Sequence, residues 1–61
     1  MFDYIKEIVE RQYPVENLVY FVESDFHIYL QFTTKDGRYL ADYNILSKEI
    51  EYFKLEGRTN A

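Results

Sequence analysis

His27 is the single histidine of this chain, and there is no cysteine. General acid–base or nucleophilic chemistry near neutral pH would therefore fall to one imidazole, with Ser24 or Ser47 as the hydroxyl and Asp25 as the nearby carboxylate. Neither serine sits in a recognisable nucleophile motif. Asp25 and His27 lie two residues apart, a spacing that in a strand turns both side chains the same way and suits two metal ligands. A metal site needs a third and a fourth ligand, and the sequence supplies none at a related spacing. Asp25 is therefore expected to be a turn residue bonded to its own backbone, and His27 a half-exposed ring on the outer face of a strand. Glu49, Glu51 and Glu56 resemble paired carboxylates, yet charges of this kind commonly guard a strand edge against aggregation. Gly37 and Gly57 are the only glycines, which rules out a glycine-rich phosphate loop. The chain is accordingly expected to be non-catalytic, with no cofactor and no metal.

What the sequence does carry is aromatic contact area. Seven tyrosines and five phenylalanines make up 20% of its 61 residues, and 48% are hydrophobic. A chain this short buries only about 60% of the surface it exposes when unfolded, so aromatic rings, each burying a large area, are the means to a sufficient core. With disulfides excluded, a rich core or a partner must compensate. Residues 1–61 are read as one domain, with 57–61 as a frayed tail.

The formal charge is −4. Glu16, Glu23 and Asp25 lie in a stretch without Lys or Arg between Arg11 and Lys35, whereas five acids and five bases balance from Lys35 to Arg58. Binding to phosphates requires clustered positive charge, so a nucleic-acid partner is disfavoured. The amino terminus MFDYIKEIVERQ has early acids and no uninterrupted apolar run, which argues against a signal peptide or membrane span. Together with the missing cysteines, this suggests a cytoplasmic protein.

The elements that position these residues follow from periodicity. Phe2, Ile5, Ile8 and Val9 recur at three- and four-residue spacing among charged residues, which predicts an amphipathic helix over 2–13. Lys6 with Glu10, and Glu7 with Arg11, are placed to pair along its solvent side. Pro14 disfavours helical geometry at Tyr13 and ends it. Leu18–Val22 is a run of strand formers closed by Glu23-Ser24-Asp25. Phe26, Ile28, Leu30 and Phe32 then alternate with His27, Tyr29, Gln31 and Thr33, the pattern of a strand with one buried face. An Asp36-Gly37 turn signal leads into a returning strand over 38–43. Residues 44–48 connect, with Ile45 or Leu46 turned to the core, to a last strand over 49–56. There Ile50 and Tyr52 lie on one face, Phe53 and Leu55 on the other. The expected fold is α+β: one N-terminal helix packed on a four-stranded antiparallel β-meander, in the order α-β-β-β-β.

Two registers compete at the hairpin. A two-residue loop Asp36-Gly37 sets Phe32 against Ala41 and Leu30 against Tyr43, leaving Leu40 outside. A three-residue loop Lys35-Asp36-Gly37 sets Phe32 against Leu40 and Tyr29 against Tyr43 on the outer face. The second is favoured, because it buries Leu40 and keeps Lys35 from facing Arg38. It gathers Tyr29, Tyr39 and Tyr43 on the outer face with His27 and Gln31, and these five residues form the candidate partner-binding site.

The segment from His27 to Leu55 combines a strand, the Lys35-Asp36-Gly37-Arg38 turn, a return strand containing Tyr39 and a final strand after a polar connection. It resembles the helix-plus-meander pattern of PepSY-type domains over about half of the chain. That resemblance implies a protein-binding or inhibitory module. The functional expectation is thus a small acidic interaction protein, of the kind encoded by phages and mobile elements as an accessory or inhibitor, acting on another protein through a tyrosine-rich sheet face. The alternatives are a homodimer or other homo-oligomer assembled through the sheet face or the last strand, and a single-stranded nucleic-acid binder using stacked aromatics, which the acidic balance opposes.

Overall fold

The first element forms where apolar spacing and Pro14 require. The computed structural model describes residues 1–57, and the side chains of residues 1–55. Helix α1 spans Phe2–Gln12 and presents Ile5 and Val9, both fully buried, to the sheet. Its solvent side carries the pairs Lys6–Glu10 and Glu7–Arg11. Tyr13 leaves the helix in extended geometry (φ −135°, ψ 144°), as a residue before proline must.

Four strands follow: β1 (Asn17–Glu23), β2 (His27–Thr34), β3 (Gly37–Asn44) and β4 (Glu49–Gly57). They form one antiparallel sheet in the spatial order β1-β2-β3-β4, so the chain has the α+β meander architecture, with α1 on one face. The remainder of the expected frayed tail, residues 58–61, lies outside the described residues, while Gly57 belongs to β4.

In β2 the period-two pattern places Ile28, Leu30, Phe32 and Thr34 beneath the helix. Ala41 and Tyr43 of β3 complete the buried set, and Tyr13, Leu18, Phe21, Tyr39, Ile50 and Tyr52 pack around it. Phe26 was expected on the buried face. It instead precedes β2 and is 54% exposed, because its carbonyl accepts the Ile45 N–H at 2.8 Å and holds it in the connection. Of the two residues expected to seal the β3–β4 connection, Ile45 packs on the core and Leu46 is exposed. Asn44 Oδ1 organises that turn by accepting the N–H groups of Leu46 and Ser47 at 2.9 and 3.0 Å.

Neither expected register of the β2–β3 hairpin occurs. The loop is Lys35-Asp36, with Thr34 opposite Gly37, Phe32 opposite Tyr39, Leu30 opposite Ala41 and Ile28 opposite Tyr43. Thr34 Oγ1 accepts the Asp36 N–H at 3.0 Å and sets the turn one residue early. Lys35 and Asp36 keep negative φ, and Gly37 takes φ 138°. A two-residue loop of unprimed geometry opposes the natural strand twist, and glycine is the residue that tolerates the compensating backbone. The gain is burial of Ala41 and Tyr43 and partial burial of Tyr39, where the favoured register buried Leu40.

Candidate functional site

Antiparallel partners point to the same side of a sheet, so the register determines what the face opposite α1 displays. Four cross-strand rows result: Asn17, Thr33 and Arg38 form one at the turn end, and three more follow from it. Tyr20, Gln31, Leu40 and Phe53 form the first of these; Val22, Tyr29, Asp42 and Glu51 form the second; His27, Asn44 and Glu49 form the third. Among the described residues no element lies over this face. Tyr20, Val22 and Phe53 are 45%, 44% and 45% exposed, whereas Tyr29 and Leu40 between them are half-buried by their neighbours. The outer face is thus an apolar band with an acidic corner at Asp42, Glu49 and Glu51.

His27, Tyr29 and Gln31 are on this face, as expected. The His27 ring stacks on Tyr29 with centroids 5.8 Å apart and planes 10° from parallel. Its Nδ1 lies 2.8 Å from Asp42 Oδ1. An ionised carboxylate only accepts, so Nδ1–H donates and the imidazole is held in one orientation. Beyond this pair, among the described residues, no group of three or more His, Cys, Asp or Glu side chains is arranged to hold a metal ion.

Tyr39 and Tyr43 are not on the outer face, which corrects the expected cluster. The two-residue loop turns both toward α1. Tyr43 is 4% exposed, with the Tyr4 ring edge-on at 6.0 Å. Burial raises its hydroxyl above the ordinary tyrosine pKa, and donation of a hydrogen bond to Tyr4, with the Tyr4 charge, adds to the rise. Tyr39 stacks on Phe32 at 5.6 Å, meets Tyr13 at 5.0 Å and lies under the Lys54 ammonium at 5.9 Å. Tyr52 completes this group, 4.8 Å from Tyr13. Its buried hydroxyl has no hydrogen-bond partner among the described residues, and its pKa is raised by desolvation and by the neighbouring Tyr13.

Tyr20, Val22, Leu40, Asp42 and Phe53 are among the outer-face residues that sequence reasoning did not assign to the site. Bulges hide two of them: the β1–β2 register shifts between Leu18 and Tyr20, and the β3–β4 register shifts at Arg38/Tyr39, leaving Val19 and Leu55 as the extra residues. The available signal was Thr34, two residues before Asp36, a spacing suited to a side-chain-capped turn.

Comparison with protein-family models, curated proteins and solved structures finds no match to this chain. No helix among the described residues is long and apolar enough to cross a membrane.

Proposed function

We propose that this chain is a small, non-catalytic protein-binding module that docks a partner on the outer face of its sheet. The observation that carries the reading is the uncovered apolar band of Tyr20, Val22, Tyr29, Leu40 and Phe53. Contiguous exposed apolar area rimmed by polar groups marks interaction surfaces, and tyrosine provides rigid area with a polar tip. Asp42, Glu49 and Glu51 at one corner favour a partner whose contact surface is apolar at its centre and cationic at that edge. The same carboxylates repel phosphates and count against a nucleic-acid strand stacking on Tyr29. The resemblance to PepSY-type domains points to the same class of role.

The test compares capture of one partner protein by the unmodified chain and by variants on the two sides of the sheet. Tyr29→Ala and Phe53→Ser are expected to weaken binding about tenfold or more, the loss of interfacial anchors, while melting stays cooperative. Glu10→Gln on the solvent side of α1 is expected to leave binding unchanged. Retained affinity in both outer-face variants, or equal loss in the helix variant, overturns the outer-face reading.

A further inference from the structure

The two edges of the sheet differ in charge. The β4 edge interleaves Glu49, Glu51 and Lys54 with its apolar residues. In β1 the run Leu18-Val19-Tyr20-Phe21-Val22 is uncharged and Glu23 closes the strand, and Val19, Tyr20 and Val22 are exposed. On the helix side of the same edge, Phe2 meets Phe21 edge-on at 5.0 Å and remains exposed together with Met1. Exposed apolar side chains therefore lie on both sides of a strand edge whose one charge, Glu23, stands at its end, a situation natural sheets usually prevent or cover.

The backbone of β1 is also oriented for pairing. Ser24 donates its N–H to the His27 carbonyl at 2.8 Å, and the same offset continues through Val22 opposite Tyr29 and Tyr20 opposite Gln31. Bonded and non-bonded pairs alternate in an antiparallel ladder. Phe21 and Glu23 consequently turn their N–H and C=O groups toward the open edge.

We infer that β1 pairs antiparallel with β1 of a second copy of this chain, about a two-fold axis at Phe21. In that register the outward groups of Phe21 bond their own counterparts, Tyr20 lies opposite Val22 on the outer face, and both Phe2–Phe21 pairs meet on the helix side. The edge is self-complementary in this orientation: Glu23 falls opposite Val19, so no two acids oppose each other, whereas a parallel copy in register would align every Glu23. The two sheets join into one, and the outer face of the proposed binding module is doubled without its acidic corners meeting. The inference is independent of any foreign partner. The Val19 bulge keeps regular pairing short, so the interface falls below the roughly 1,200 Å² of a strong complex. A dissociation constant between about 1 μM and about 1 mM is expected. Each copy carries −4, and added salt should strengthen the dimer by screening that repulsion.

Sedimentation equilibrium of the full chain from about 10 μM to about 1 mM, at low and high salt, is paired with amide exchange at Phe21 and Glu23. The expected result is a mass rising toward twice that of one chain, with both amides slowing as concentration increases. Val22→Lys should weaken association about tenfold or more, and Leu55→Lys at the opposite edge should not. A single-chain mass at the highest concentration overturns the inference. So does a dimer in which these two amides exchange freely, or one indifferent to Val22→Lys. Should Val22→Lys fail to fold, the exchange pattern of the unmodified chain still decides the matter.

Discussion

Tyr43 and Tyr52 show how the same residue type is handled differently within one core. Tyr43 lies beneath the helix with the Tyr4 ring edge-on at 6.0 Å. The Tyr52 ring meets Tyr13 and Phe32, and its buried hydroxyl has no partner among the described residues. Removing an unsatisfied buried hydroxyl recovers its desolvation cost, so Tyr52→Phe is expected to leave stability unchanged or raise it by up to about 1 kcal/mol. Chemical denaturation at pH 7 measures this, and a clear loss would show that the hydroxyl is bonded. Both hydroxyls have folded-state pKa values raised above the ordinary 10.0. The folded chain therefore holds these protons where the unfolded chain releases them, and stability present below pH 10 is lost as pH rises through the higher folded values. Tyr52→Phe should flatten part of that alkaline decline in a series of melts, and an identical slope would exclude Tyr52 as a contributor.

At the scale of elements, the hairpin is the decisive unit. Its loop places glycine at φ 138°, outside the range that a residue with a Cβ adopts readily. Gly37→Ala is expected to destabilise by about 1 kcal/mol or more and to disturb the Phe32–Tyr39 pairing, visible as shifted aromatic resonances; unchanged stability would mean that the loop relaxes to another register. In the neighbouring ladder, Asp42 stands directly opposite Glu51, a like-charge pair, with His27 Nδ1–H donating to Asp42 on its other side. Glu51→Lys is expected to stabilise by roughly 0.2–1 kcal/mol, less at high salt. If it also weakens partner capture, the repulsive pair is retained for recognition. A variant with no gain in stability would show that the Asp42–Glu51 repulsion is screened by solvent.

For the whole molecule, one helix on one sheet leaves half of the sheet surface without a covering layer. Among the described residues the buried apolar core is confined to Ile5, Val9, Ile28, Leu30, Phe32, Ala41 and Tyr43, which is thin for an independent fold. Tyrosine rings thicken it from the margins: Tyr4 over Tyr43 at one end, Tyr13 over Phe32, Tyr39 and Tyr52 at the other. An outer face and a β1 edge that both expose apolar groups are consistent with a protein completed by association. Under the inferred pairing, the melting temperature depends on concentration.

Much of this architecture was legible in local patterns. Three-and-four spacing from Phe2 to Val9, the stop imposed by Pro14 on Tyr13 and the alternation from Ile28 to Phe32 each depend on backbone geometry within a few residues, so they determine element type and order without reference to the rest of the chain. His27, Tyr29 and Gln31 fell on the outer face for the same reason. Register was a different matter, because hairpin loops of two or three residues around Lys35-Asp36-Gly37 are close in local energy and each sends a different set of side chains to the core. The choice rested on groups distant in sequence: Tyr4 in the helix and Tyr13 just after it receive Tyr43 and Tyr39, and Thr34 closes the loop beneath them. Only tertiary packing could decide it, since burying two tyrosines against a helix some thirty residues earlier in the chain is an energy that no local window contains.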